Sequence, residues 1–411
     1  MFSLIEGFVG LPKKIEKRRD LSVRVLALGG AGAVCKEATK DLVQFSDFDE
    51  IVVADYNVAA AKALIQEIGD PRLSVMAFDA NDYDLMLRVF PQFDVVVNGL
   101  PFRFDLPVNR ACVEVGVNGL DVSSQDPQFA LHEQALAKGM TFIPGVGATP
   151  GVTNVMARRG IEYLDRVGEI NISFAAFRCL APAPGLLTTT LWEFTPGEED
   201  RQKVYYADGE WHPAPPLSGE RLVRFHDLIG EQPVYYVPHD EVYSLPRSVP
   251  GIRQVTVRGC FPPHVMRLMG ALMEGGLLSD APVEIGGEEV TAHEAVRALL
   301  WAVPESKENP IWAYGLVVEV MGEREGREVK CTYHNSHPPQ EEWGGPAAYF
   351  KNIGIPLSIG AQMLAAGQVE AKGVVPPEVA IPTQPFFDEL ARRGIQVHEK
   401  IEERQVLGDR E

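Results

Sequence analysis

The 411-residue chain is 45% hydrophobic, which gives it enough apolar material for two or three globular domains. Its formal charge of -19 excludes nucleic acid and anionic membrane as natural partners and points to a small-molecule ligand. The five cysteines (Cys35, Cys112, Cys179, Cys260, Cys331) are scattered and form no C-x-x-C, so neither a disulfide framework nor a zinc site is expected, and a reducing cytoplasm fits.

No stretch reaches the ~18 apolar residues of a membrane span. The apolar run over residues 2–11 is broken by Glu6, and its basic residues follow rather than precede it. It reads as an arm that docks on the body or on a second subunit, not as a secretory signal.

The first periodic element is a strand over residues 23–28, followed by Gly29-Gly30-Ala31-Gly32-Ala33-Val34 and a helical pattern over 36–43. Strand, glycine turn and helix start are what a dinucleotide site needs. The glycines allow the turn and let backbone approach a pyrophosphate, and the free N–H groups at the helix start hold the phosphates. Gly30 and Gly32 fill the first two glycine positions of the G-x-G-x-x-G pattern, and Cys35 stands at the third. The alternation then continues: strand 50–55, helix 58–68, strand 73–78, helix 83–89, strand 94–98, helix 106–115, strand 118–122, helix 127–138 and strand 140–144. Strands alternating with helices predict an α/β fold with a parallel, doubly wound Rossmann sheet.

Asp55 closes the second strand 25 residues after Gly30, where a carboxylate accepts hydrogen bonds from the adenosine ribose and repels a 2′-phosphate. NAD is therefore favoured over NADP. The alternative for Asp55 is a helix cap, although Asn57 can serve there. Tyr56 follows it, and Asp79 and Ala80 after the third strand border the adenine side, where Asp79 can equally cap the next helix. Three loops at the strands' carboxyl ends also face the cofactor: Asn98-Gly99-Leu100-Pro101-Phe102, Asp121-Val122-Ser123-Ser124, and residues 144–151 containing Gly145. The last is dense in Gly and Pro and reads as a hinge leaving the first domain.

From residue 168 the periodicity changes. Strands are expected over 169–177, 234–237 and 253–258, hairpins over 204–211 and 312–334, and helices over 265–274, 292–302, 346–366 and 386–393. The expected organisation is a Rossmann domain over residues 1–150, an α+β substrate and dimerisation domain over 151–345, and a segment 346–411 that returns toward the first.

Four stretches resemble the saccharopine dehydrogenase-like family: Gly29-Gly30-Ala31-Gly32 with Lys36-Glu37, Val96-Val97-Asn98-Gly99-Leu100-Pro101, Ile143 through Asn154, and Gly373-Val374-Val375-Pro376-Pro377-Glu378 with the 387–395 segment. Gly344-Gly345-Pro346-Ala347-Ala348 is similar to the family's T-G-x-P-A segment with Gly344 in place of Thr. The resemblance implies reversible oxidation of a C–N bond on an amino acid by NAD or NADP, in a homodimer. It also places the Asn98 and Gly145 loops on the nicotinamide side, with Phe102, Asn154 and Gly345 on the substrate side. Arg258 through His264 lies near the family's R-Y-P-G-H segment but with a longer spacing.

Removing the proton from an amine calls for a base, for which Asp121 and His264 are the candidates. Holding an amino-acid carboxylate calls for an arginine fork, for which Arg178, Arg247 and Arg258 are the candidates. His334 and His337 lack a third ligand, so no metal is expected. The leading expectation is an amino-acid dehydrogenase of the saccharopine or lysine type. The alternatives are a carboxynorspermidine-type polyamine dehydrogenase, which would show acidic side chains in its pocket, and a non-catalytic NAD sensor or assembly protein.

Overall fold

The computed structural model describes residues 22–195, 203–308 and 311–404. The N-terminal arm lies outside these residues. The first half alternates as β1 (Arg24–Leu28), α1 (Ala33–Phe45), β2 (Glu50–Asp55), α2 (Val58–Ile68), β3 (Leu73–Ala77), α3 (Tyr83–Val89), β4 (Val95–Asn98), α4 (Asp105–Val115), β5 (Asn118–Asp121), α5 (His132–Ala137) and β6 (Thr141–Ile143). The second runs α6 (Val152–Tyr163), β7 (Arg166–Phe177), α7 (Pro184–Phe194), β8 (Val204–Ala207), β9 (Glu210–Pro213), β10 (Arg221–Arg224), β11 (Glu231–Tyr236), α8 (Glu241–Ser248), β12 (Gln254–Cys260), α9 (Pro263–Glu274), β13 (Pro282–Ile285), β14 (Glu288–Thr291) and α10 (Ala292–Ala302). It ends with β15 (Ala313–Arg324), β16 (Arg327–Ser336), α11 (Gln340–Trp343), α12 (Ala347–Ala365), β17 (Gly373–Val374), α13 (Pro377–Ala380), α14 (Thr383–Arg392) and β18 (Gln396–Arg404).

Seven parallel strands form the first sheet in the order β17-β6-β5-β4-β1-β2-β3. The strand order reverses at β1, so the crevice of this sheet opens above the Gly29 turn, as in doubly wound folds generally. Strands β1, β2 and β4 are apolar along nearly their whole length because helices cover both faces. One covering helix comes from far along the chain: α12 lies against α1, β4 and β5. Gly354 permits this, since a Cβ there would sit 2.7 Å from the Val34 carbonyl oxygen and 2.8 Å from the Ala38 nitrogen.

The second sheet has nine strands, ordered β10-β11-β12-β7-β15-β16-β18, with β8 attached to β12 and β9 to β8. Only its β12–β7 pair is parallel among these pairings. The expected hairpins turn at Asp208-Gly209 and Glu325-Gly326, with Asp208 and Glu325 in the left-handed region. The C-terminal segment joins both sheets, β17 pairing with β6 and β18 with β16.

Some elements differ from the periodicity. The helix expected over 127–138 divides into a 3-10 turn, Asp126–Leu131, and α5. Helices α6, α7 and α8 are additions. Proline masks two of them: Pro184 stands at the first turn of α7, where its missing N–H costs nothing, and Pro246 lies inside α8.

Candidate active site

At the end of β1 the chain turns through Gly29, with a φ of 64°, and the Gly32 N–H donates to the Gly29 carbonyl at 2.8 Å. Helix α1 then starts at Ala33 with no side chain capping it. Its first N–H groups, those of Ala33 and Val34 among them, have no intrahelical acceptor and face the crevice. An anionic pyrophosphate is the complement of such a terminus. The Cys35 at the third glycine position is accommodated from the other side. A Cβ on Gly99 would sit 2.5 Å from the Cys35 Cβ, so the close approach that a glycine usually supplies in the helix is supplied by the β4 loop.

Asp55 is buried at the end of β2. One carboxylate oxygen accepts from the Asn57 N–H at 2.8 Å, and the other reaches the Ala31 N–H at 3.3 Å. Asn57 itself caps α2 by accepting from Ala60. The carboxylate is thus tied to the glycine loop. Tyr56 is largely exposed beside it. Asp79 is exposed and accepts both the backbone and side-chain N–H of Asn81, while Asp82 caps α3. Ala80 lines a surface cavity with Tyr83 and Arg103. Leu100 donates its N–H to Asn98 Oδ1 at 3.2 Å, which shapes the loop that continues into Pro101 and Phe102. The glycine turn, the uncapped helix and the edge carboxylate fit an adenine dinucleotide.

Beside this cradle lie two wholly buried aspartates. Asp121, the last residue of β5, accepts from the Gly145 N–H at 2.8 Å and from Gln128 Nε2 at 2.7 Å. Asp105, the first residue of α4, accepts from Asn98 Nδ2 at 3.2 Å and Ser123 Oγ at 2.6 Å. Gln125 bridges Asp105 to the Phe102 carbonyl. Burial pushes the Asp121 carboxyl up to about 8. Asp105 is raised too, first by burial and then by the charge of Asp121. The two form a carboxyl pair that holds a proton more readily than isolated acids.

A third group docks on the same loops. The tripeptide His239-Asp240-Glu241 precedes and opens α8. Ser124 hydrogen-bonds to Asp240. Glu241 Oε1 accepts from the Thr149 hydroxyl at 2.6 Å and the Thr153 hydroxyl at 2.8 Å. The His239 ring stacks on Phe174 at 4.9 Å. Thr149, Thr153, His239 and Glu241 are absent from the sequence-based candidates. The one signal for them was their place in and near the Gly/Pro-rich hinge, because α8 had no readable periodicity.

Deeper in the second domain, Arg178 is buried between the rings of Phe261 and Tyr349. Its guanidinium donates to the Cys179 and Leu180 carbonyls and to the Thr190 hydroxyl, and its Nε has no partner among the described residues. Helix α7, which carries Thr190, reaches back over the β4 loop, with the Trp192 and Phe102 rings 6.3 Å apart. At the end of α7, Lys203 donates to the carbonyls of Trp192, Glu193 and Thr195. Burial pulls this lysine down to about 7 and pushes Glu193 up to about 7.

The remaining candidates are dispersed. Arg258 stacks on Tyr236 and is committed to Gly219, Thr256 and Tyr236. Arg247 makes an exposed ion pair with Asp126. His264 is exposed in the first turn of α9. Asn154 links the Gly151 N–H to Glu378 in the hinge. Gly345, with a φ of 63°, turns the chain between α11 and α12.

A family model described as the saccharopine dehydrogenase NADP binding domain matches residues 25–143, and one described as the saccharopine dehydrogenase C-terminal domain matches residues 147–395. The chain belongs to the saccharopine dehydrogenase family. It is thereby an oxidoreductase that uses a pyridine nucleotide. The chain is 25% identical to a carboxyaminopropylagmatine dehydrogenase of Synechocystis, over 92% of this chain and 97% of that one. It is also 25% identical to a carboxynorspermidine synthase of Vibrio alginolyticus, over 91% and 96%. The fold matches a saccharopine dehydrogenase (L-Glu forming) from Saccharomyces cerevisiae with a TM-score of 0.68, at 15% identity, over 92% of this chain and 99% of that one. Among the described residues, no helix is long and apolar enough to cross a membrane.

Proposed function

We propose that the protein is an NAD-dependent dehydrogenase that makes or breaks a C–N bond in a carboxyalkylated amine of the polyamine type. The observation that carries this reading is the concentration of buried acid at the cofactor-facing loops. Buried Asp105 and Asp121 lie within the first domain, and the start of α8 adds buried Glu241 and the half-buried Asp240, whose charge acts on the same group. A pocket for a polycationic substrate needs anions, and these are held in place by backbone and hydroxyl donors. The similarity to the Synechocystis and Vibrio proteins, which extends over nearly whole chains, supports the same class.

Asp121 serves as the base. It stands at the carboxyl end of β5, beside the strands whose loops take the nicotinamide side. Its raised pKa suits it to receive the proton of an ammonium at the reacting nitrogen and to return it in the reverse direction. Gly145 and Gln128 position it, and its burial raises its proton affinity. The nicotinamide, when bound, supplies the hydride chemistry. Asp55 selects NAD in this reading, because a carboxylate at the end of β2 repels a 2′-phosphate and, among the described residues, no basic side chain is hydrogen-bonded to it.

A second reading, an amino-acid dehydrogenase of the saccharopine or lysine type, is favoured by one feature. Arg178 keeps an unpartnered Nε in a buried aromatic setting, which suits a substrate carboxylate. Reduced-cofactor formation separates the two. NAD and NADP are each offered with carboxyaminopropylagmatine, carboxynorspermidine, saccharopine and lysine. Turnover of a carboxyalkyl polyamine with NAD is expected. Turnover confined to saccharopine or lysine selects the second reading, and faster turnover with NADP removes Asp55 as the selector.

A further inference from the structure

Glu241 is fully buried, yet only half of its carboxylate is used. Oε1 takes both threonine hydroxyls, and Oε2 has no hydrogen-bond partner. Among the described residues no lysine or arginine makes an ion pair with it. Its nearest basic group is His239, whose Nδ1 lies 3.7 Å from Oε2. Burial lowers the proton affinity of that imidazole, so it is a poor counter-ion, and its Nδ1 is shared with the Thr149 hydroxyl oxygen at 3.4 Å. Oε2 is therefore left with no hydrogen bond among the described residues. A buried anion without a cation is costly, and the missing complement is a group with several N–H donors and a positive charge.

The surroundings match such a guest. The imidazole of His239 lies on Phe174, and Phe174 is followed by Tyr314 at 6.2 Å, so one wall is aromatic and attracts cations through its π faces. The His239 side chain is 13% exposed and that of Glu241 is not exposed, which leaves the histidine side as the way in. Thr149 and Thr153 fix Glu241 to the hinge loop that also gives the Gly145 N–H to Asp121. One loop therefore joins this carboxylate to the base.

We propose that Glu241 Oε2, bordered by the His239 ring, forms a second amine subsite, which binds the non-reacting cationic nitrogen of the substrate while Asp121 handles the reacting one. The inference rests on the amine-substrate reading above and adds to it a specificity-determining pair that lies outside the dinucleotide domain. It accounts for selection of a substrate with two separated nitrogens over a monoamine.

The test is calorimetric titration of the full-length protein, saturated with NADH, with agmatine and with butylamine. These probes share a four-carbon amine, and only agmatine has a second cation. Wild-type protein is expected to bind agmatine at least tenfold more tightly than butylamine. Glu241→Gln keeps the acceptor for the threonines and removes the charge, and it should abolish that preference while leaving NADH affinity unchanged. Glu241→Asp, which keeps the charge and retracts it, should lose most of the preference and serves if the glutamine variant fails to fold. A wild-type protein without the preference, or variants that retain it in full, would overturn the subsite. Failure of the dehydrogenase reading appears separately, as absent turnover in a protein that still discriminates the two probes.

Discussion

The two sheets bear on the chemistry in different ways. In the first, most functional groups follow directly from a strand end: the Gly29 turn from β1, Asp55 from β2, Asn98 from β4, and Asp121 from β5. In the second, the polar groups are assembled across long stretches of chain. Glu241 meets Thr149 and Thr153, and Arg178 meets Thr190 and Tyr349. A parallel sheet presents its carboxyl edge as one surface, so its chemistry is local in sequence. A mixed sheet has no such edge, and its sites come from the helices inserted between its strands.

If reaction chemistry resides on the first sheet, the largest effect should come from Asp121→Asn. This change preserves the shape and the bond from Gly145 but removes the base. A loss of roughly 10²- to 10⁴-fold in kcat is expected, with NADH affinity unchanged. Steady-state kinetics and cofactor titration check it, and a loss of cofactor affinity instead would make Asp121 structural.

Removing Lys203 tests the second region on stability. Lys203→Met deprives the end of α7 of a donor to three carbonyls and leaves Glu193 with Arg178 alone of its two cations. At about 1 kcal/mol per lost bond, the cost is about 3 kcal/mol in chemical denaturation. An unchanged midpoint would mean that the α7 terminus is satisfied by other donors.

The Cys35–Gly99 contact gives a smaller and reciprocal effect. Gly99→Ala forces a Cβ against Cys35 and should destabilise the protein by about 2 kcal/mol. Adding Cys35→Gly to that variant should recover most of the loss. A double-mutant cycle that is simply additive would refute the contact as the cause. The smallest shift expected is in cofactor choice: Asp55→Arg should weaken NAD by about tenfold, or about 1.4 kcal/mol, and improve NADP. Cofactor titrations read this directly.

The unequal legibility of the two regions has a physical origin. The strand and helix periods of β1 through β5 could be read because a parallel strand buried on both faces is a continuous apolar run bounded by turns. Asp55 and Asp121 were placed by that pattern alone. Cys35 looked like a defect in the glycine motif, and its compensation at Gly99, on a different loop, is visible only in three dimensions. Helix α8 was hidden by Pro246, and with it the partnership of His239 and Glu241 with the hinge. Arg178 was singled out by its position at the end of a strand, and its aromatic clamp from Phe261 and Tyr349 depends on residues 83 and 171 positions away.

The pH profile of amine oxidation tests the central assignment most directly. Because the folded protein raises the Asp121 pKa above that of an unfolded aspartate, its protonated, inactive form persists into the neutral range. The base becomes available only as pH rises through that value. For wild-type enzyme with NAD, log kcat/KM should climb with pH and level off above about 8, and the residual activity of Asp121→Asn should show no such rise. A variant that retains the wild-type kcat and the same pH profile would contradict the account and return the search for the base to other residues.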